Sequence, residues 1–306
     1  MNISRLTHLR LADRRGLDVH VSGPEDGEVL MFHHGTPGSC LPLREVEDAV
    51  HRLGLRLVAM SRPGYGDSTR FAGRRVVDVA ADTAAVLDAL GAERCLVAGW
   101  SEGGPHALAC GARLTDRVAA VLVIAGFAPY RAEGLDFMEG MGTAGVVEIG
   151  KVLEGEAVLR PYLEELRGRV NVANVTDLRK ALGSRLRAVD QAVLTEEFVT
   201  DWAASAREGL RVGADGWIDD DLALVQPWGF ALTEITVPTV LWHGGEDLMV
   251  PIGHGRWLAE RIPGVTAHLE EGEGYLSLFV GAIDRMLREL LAAGGSRAGS
   301  KSAALP

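Results

Sequence analysis

Short apolar, β-branched runs alternate with helical patterns along much of this chain, and no other feature limits its fold so strongly. The runs fall at about 6–11, 17–22, 28–33, 55–60, 94–100 and 118–125, and the last four read as buried strands. Helical patterns lie between them at about 43–53, 76–90 and 103–114. In the second, Val79, Thr83, Val86, Leu87 and Leu90 repeat on one face. Strands and helices alternating at this spacing predict an α/β fold, a mostly parallel sheet covered by helices on both faces.

From 127 to 235 the strand signal stops. Glu, Leu, Arg and Ala recur three and four apart there, together with Trp202, Trp217 and Trp228. Strand-like sequence returns at 238–243 and 265–269, with helical patterns at 253–261 and 276–292. The expected organisation is an eight-stranded core made of 1–126 and 236–293, interrupted by a helical insertion at 127–235. Residues 294–306 are small and polar without periodicity and are expected to form a flexible tail.

Composition narrows the function. Forty-two Asp and Glu against 31 Lys and Arg give a net charge of −11, which repels nucleic acid and anionic membranes. No run of eighteen apolar residues and no secretory leader is visible, so a cytoplasmic protein without a membrane partner is expected. Cys40, Cys95 and Cys110 sit among small apolar residues and suit a reducing compartment. The run Asp219-Asp220-Asp221 raises the question of a metal, but adjacent helical positions point in different directions. Asp219 or Asp220 is better explained as the N-cap of a helix starting near Leu222. Zinc-type spacings and phosphate loops are missing, so neither metal nor cofactor is expected.

The chemistry concentrates in two loops. Gly99-Trp100-Ser101-Glu102-Gly103-Gly104 stands between a strand run and a helix, and fits a nucleophile elbow. A serine on so tight a turn needs neighbours without side chains, which Gly99 and Gly103 supply. The second loop, His33-His34-Gly35-Thr36-Pro37-Gly38, follows the third strand run at the same sheet edge. There Gly35 lets the backbone approach the site, and the amides of Thr36 and Glu102 are the natural pair of oxyanion donors. His34 either belongs to this machinery or is a core histidine that fixes the loop. The Glu102 side chain is expected to turn into the cap interface or solvent, since a charge beside an oxyanion hinders the chemistry.

These residues resemble the α/β-hydrolase superfamily, in its cap-bearing branch with a serine nucleophile. Two further segments carry the resemblance: Ser61-Arg62-Pro63-Gly64-Tyr65-Gly66-Asp67-Ser68 looks like the loop that braces the oxyanion loop. His243-Gly244-Gly245-Glu246-Asp247-Leu248-Met249-Val250-Pro251 looks like the loop that carries the triad acid. The resemblance implies Ser101 as nucleophile and Asp247 as the acid, with Glu246 the weaker candidate. In place of the family's histidine, the segment Glu271-Gly272-Glu273-Gly274-Tyr275-Leu276-Ser277-Leu278-Phe279 presents Tyr275.

That departure sets the functional expectation. A phenol with a pKa of about 10 is a poor proton acceptor at neutral pH. Removing the histidine of a comparable triad costs roughly a millionfold in turnover. Among the other histidines only His254 is a candidate substitute, and a solvent-facing helix position is the expectation for it. His8, His20 and His51 lie in segments remote from the catalytic edge. The chain is therefore expected to be an esterase-like hydrolase acting on a small acyl substrate, strongly impaired or substrate-trapping as written. The alternative is a non-hydrolytic member of the fold that binds or transforms a small molecule without an acyl-enzyme. Oligomeric state is not readable at this level.

Overall fold

The computed structural model describes residues 3–300, with side chains described from residue 5 to residue 295. Eight strands make one sheet: β1 (Ile3–Arg10), β2 (Gly16–Gly23), β3 (Val29–His33), β4 (Arg56–Met60), β5 (Cys95–Trp100), β6 (Val118–Ile124), β7 (Thr239–Gly244) and β8 (Thr266–Glu270). Their order is β1-β2-β4-β3-β5-β6-β7-β8. β2 runs antiparallel to both β1 and β4, and every other neighbouring pair is parallel. The expected mostly parallel sheet is thus the observed one.

Every side chain of β3, β5, β6 and β7 is buried, which is why these segments read as continuous apolar runs rather than alternating ones. β8, at the edge, is only partly covered. Around the sheet lie α1 (Arg44–Arg52), α2 (Val79–Ala89), α3 (Gly103–Arg113), α10 (Ile252–Arg261) and α11 (Tyr275–Ser300). α3 comes close to β3 and β5 because Gly99 and Gly103 carry no side chains. A Cβ on Gly99 would collide with the carbonyl of Gly103, and one on Gly103 with the carbonyl of His33.

Between β6 and β7 the chain forms α4 (Thr143–Glu154), α5 (Glu156–Val172), α6 (Val175–Gly183), α7 (Ala188–Val193), α8 (Glu196–Gly209) and α9 (Asp215–Val225), with no strand. Tyr65, Leu159, Leu163, Leu210 and Ile218 form a second apolar cluster there, apart from the core around the sheet. Asp219, Asp220 and Asp221 lie inside α9, whose N-cap position is Ala214, so the expected N-cap role is corrected. At the other end α11 continues to Ser300, into the segment expected to be a tail, and residues 301–306 lie outside the described residues.

All three cysteines are buried free thiols. Among the described residues no helix is long and apolar enough to cross a membrane.

Candidate active site

β5 ends at Trp100, α3 begins at Gly103, and Ser101 makes the turn between them with φ of 57°. This left-handed conformation is costly for a residue with a Cβ, by roughly 1–3 kcal/mol, and persists only where the surroundings enforce it. Here the Ser101 N–H donates to the carbonyl of Ile124 on β6 at 2.9 Å, and the Gly104 N–H donates back to the Ser101 carbonyl at 2.9 Å. The hydroxyl opens on a cavity of about 400 Å³ between the sheet edge and the helices α4–α9.

Gly35 and Thr36 line the same cavity. A Cβ on Gly35 would meet the Cβ of Ser101 at 3.4 Å, an ordinary contact, so the expected need for glycine at this position is corrected. The backbone N–H groups of Thr36 and Glu102 donate to no acceptor among the described residues. Two unpaired amides beside a serine turn are suited to an oxygen that gains negative charge.

The loop after β4 braces this arrangement. Arg62 donates from Nη1 to the His34 carbonyl at 2.5 Å and from Nη2 to Thr36 Oγ1 at 3.0 Å. Ser61 Oγ accepts from the Cys40 N–H at 2.9 Å, and Ser68 Oγ donates to the Ser61 carbonyl at 2.8 Å.

On the far side of Ser101 stands Tyr275, the first residue of α11. Its ring stacks on Trp100 at a centroid distance of 4.9 Å, and it lines the same cavity as Ser101. Burial pushes this phenol above its ordinary range despite Ser101, and the Asp247 and Glu102 carboxyls add to the shift. Asp247, in the loop after β7, receives the N–H groups of Met249 and Val250 on Oδ1 at 2.7 and 2.8 Å. Its Oδ2 is buried and accepts no hydrogen bond, and burial raises this carboxyl well above its usual range.

A family model described as alpha/beta hydrolase fold matches residues 28–143. A bifunctional esterase/perhydrolase of Acinetobacter calcoaceticus is 27% identical over 241 residues, covering 77% of this chain and 81% of the relative. Epoxide hydrolase B of Mycobacterium tuberculosis is 30% identical over 138 residues, covering 43% of this chain and 38% of the relative. The solved structure of an alpha/beta hydrolase fold protein from Nakamurella multipartita superposes with a TM-score of 0.65 at 24% identity, covering 95% of this chain and all of its own. The chain has the α/β-hydrolase fold. The family model is matched by residues 28–143, and the solved structures share the fold along nearly the whole chain.

Within this α/β-hydrolase framework no described histidine hydrogen-bonds Ser101. His34 spends both ring nitrogens on the loop, Nδ1 on the Gly35 carbonyl at 2.7 Å and Nε2 on the Arg62 N–H at 3.3 Å. This is the loop-fixing arrangement, and burial holds its pKa well below the usual value. His254 is fully buried, contrary to the expected solvent-facing position. Its Nδ1 accepts from the Ala128 N–H at 3.1 Å and its Nε2 donates to the Phe137 carbonyl at 2.9 Å, so neither nitrogen is free to act as a base. His243 Nε2 lies 3.8 Å from Asp247 Oδ2 but donates to the Val250 carbonyl at 2.7 Å. His106 Nδ1 donates to the Glu102 carbonyl at 2.8 Å.

Charged residues from distant parts of the chain organise the site. Asp190 of α7 is fully buried and caps α11, its Oδ2 accepting from the Tyr275 N–H at 3.0 Å. Its Oδ1 accepts from the Leu276 and Ser277 N–H groups at 2.8 and 2.9 Å. Gly274 packs against this carboxyl where a side chain would collide. Asp220 receives Arg62 and Arg74 at 2.7 Å each, the Tyr65 hydroxyl at 2.9 Å and the Thr36 hydroxyl at 3.1 Å. No local sequence signal announces these partners, since Arg62 and Asp220 stand 158 positions apart.

Glu102 turns toward the helices rather than solvent. Burial pushes its carboxyl up to about 8, helped by the charge of Asp220 and opposed by Arg62. Of the apolar residues in the helical segment, Met141, Trp202 and Trp217 line the cavity. Phe137 instead stacks on Phe127 at 5.5 Å, and Trp228 on Phe230 at 5.9 Å.

Proposed function

We propose that this chain is a serine-centred acyl-binding member of the α/β-hydrolase superfamily, esterase-like toward small acyl compounds and strongly impaired in turnover. The observation that carries the reading is Ser101 at a strained strand-to-helix turn, opening on a cavity beside two unpaired amides, with Tyr275 lining the same cavity. Residues 1–126 and 236–293 form the catalytic core in this reading, and 127–235 form the cap over it. The esterase/perhydrolase of Acinetobacter calcoaceticus supports an acyl chemistry by similarity alone.

In the proposed reaction the Ser101 Oγ attacks the carbonyl carbon of an ester, and a C–O bond forms while the carbonyl π bond opens. The oxyanion is received by the Thr36 and Glu102 amides, and its collapse expels the alcohol. The serine proton needs an acceptor, and a neutral phenol whose pKa is raised does not take it at pH 7. Acylation is therefore slow. Deacylation is slow as well, because water needs the same acceptor, so an acyl-enzyme accumulates once formed.

A side-by-side assay tests this. Hydrolysis of p-nitrophenyl butyrate by the unmodified chain and by Tyr275→His, at neutral pH, is expected to differ by several orders of magnitude, on the scale of the roughly millionfold cost of losing a triad histidine. Mass spectrometry of the unmodified chain is expected to show a butyryl adduct on Ser101. Background rates from both proteins and no adduct would remove the hydrolase reading and leave a non-hydrolytic binder.

A further inference from the structure

Ester chemistry at Ser101 makes no use of three carboxyls that line the cavity, those of Glu102 beside the nucleophile, Glu148 on α4 and Asp221 on α9. Glu102 and Asp221 are only 9% and 2% exposed, and their Oε2 and Oδ2 atoms accept no hydrogen bond. Glu148 and Glu102 both act on the Asp221 carboxyl as like charges. Glu148 accepts from the Trp217 indole N–H at 2.9 Å.

The nearby cations do not neutralise this group. Arg62 faces Glu102 but is engaged with Asp220, Thr36 and the His34 carbonyl. Arg169 lines the cavity and pairs with the exposed Glu165 at 2.6 Å. Arg185 also lines the cavity and acts on Glu148, which leaves Glu102 and Asp221 as the part of the group without a cation of its own. Carboxyl groups that meet chiefly one another hold protons, because burial and mutual repulsion disfavour their ionised forms. An ammonium group brings a positive charge that lets such carboxyls ionise and several N–H donors to pair with them. No group of His, Cys, Asp and Glu side chains among the described residues is arranged to hold a metal ion.

We infer that Glu102, Asp221 and Glu148 form a cation subsite of the cavity, one that takes the primary or secondary ammonium group of a small acyl compound. The inference rests on the acyl-binding reading of Ser101 and names the substrate class: compounds with an amine on the part held between the sheet edge and α9. Ammonium binding displaces the protons shared among the carboxyls, and no covalent step is involved.

The test is calorimetric titration of the full chain with 4-phenylbutylamine, 4-phenylbutan-1-ol and 4-phenylbutyrate. The amine is expected to bind about tenfold or more tighter than the alcohol, as a charged hydrogen bond implies, and the carboxylate weakest. In Asp221→Asn, and separately in Glu102→Gln, the preference for amine over alcohol is expected to shrink to about threefold or less while alcohol binding persists. That persistence shows that the variant cavity is intact. Equal affinity of the unmodified chain for amine and alcohol, or no binding of any of the three, overturns the subsite. The butyryl adduct on Ser101 separates the two readings, since adduct formation without amine preference leaves the acyl-binding proposal standing and removes only the cation subsite.

Discussion

Asp220 and Asp221 are neighbours in α9, equally buried, and oppositely treated by the fold. Asp220 is enclosed by Arg62, Arg74, Tyr65 and Thr36, every one of them a donor. Burial opposes its ionisation, yet the two guanidiniums hold it well below the usual carboxylate range. Asp221, one position on and so pointing about 100° away around the helix, meets Glu148 and Glu102. Burial and those like charges push it well above the range. Depth of burial therefore does not decide whether a carboxyl here carries charge; the partners on its side of the helix do. The side of Asp220 ties α9 to the loop that braces Thr36, and the side of Asp221 faces the cavity.

Three measurements break or sharpen that contrast. The largest effect is expected from Asp220→Asn, which leaves two buried guanidiniums without their countercharge. A loss of about 3–5 kcal/mol in denaturant unfolding is expected. An unchanged midpoint would mean that Arg62 and Arg74 find other partners.

Asp190 represents a third way to satisfy a buried carboxylate, by backbone N–H groups alone. Asp190→Ala is expected to cost about 1–3 kcal/mol, since three amides at the start of α11 lose their acceptor. Loss of stability without weaker labelling of Ser101 would show that the cap on α11 does not govern the position of Tyr275.

The smallest effect concerns pH. Glu102 has a folded-state value of about 8 against an ordinary 4.5, so between these limits the folded chain binds more protons than the unfolded one. Its contribution to stability is complete below the lower value and declines as pH rises, by up to about 1.4 kcal/mol per unit. Glu102→Gln is expected to flatten that decline in unfolding titrations across the window. Asp220 has the opposite sign: its contribution is present above its ordinary value of 3.8 and is lost as pH falls below it. A Glu102→Gln profile parallel to that of the unmodified chain would show Glu102 to be ionised in the fold.

Much of the scaffold is legible from short segments. The runs that become β3 to β6 are continuous and apolar because both faces of those strands are covered, and burial on both faces leaves its mark in every residue. The glycines around Ser101 are legible for a related reason, since only they permit the contact of α3 with β3 and β5. His254 departs from its expected exposure because helical periodicity does not say what packs on a helix. The loop carrying Ala128 and the backbone of Phe137 cover it from segments more than a hundred positions away. Asp190 and Arg74 leave no local trace at all, and the acidic run that contains Asp221 does not say which groups it meets.

The sequence by itself determined the order of strands and helices, the turn that holds Ser101, and the presence of a tyrosine where the resemblance calls for a base. These depend on backbone sterics and on periodicity over a few residues. Only the tertiary structure decided which carboxyls are charged, which histidines are spent on backbone groups, and which residues face the cavity. Those properties depend on Coulombic and hydrogen-bonding partners within a few ångströms, supplied by chain segments that the sequence keeps far apart.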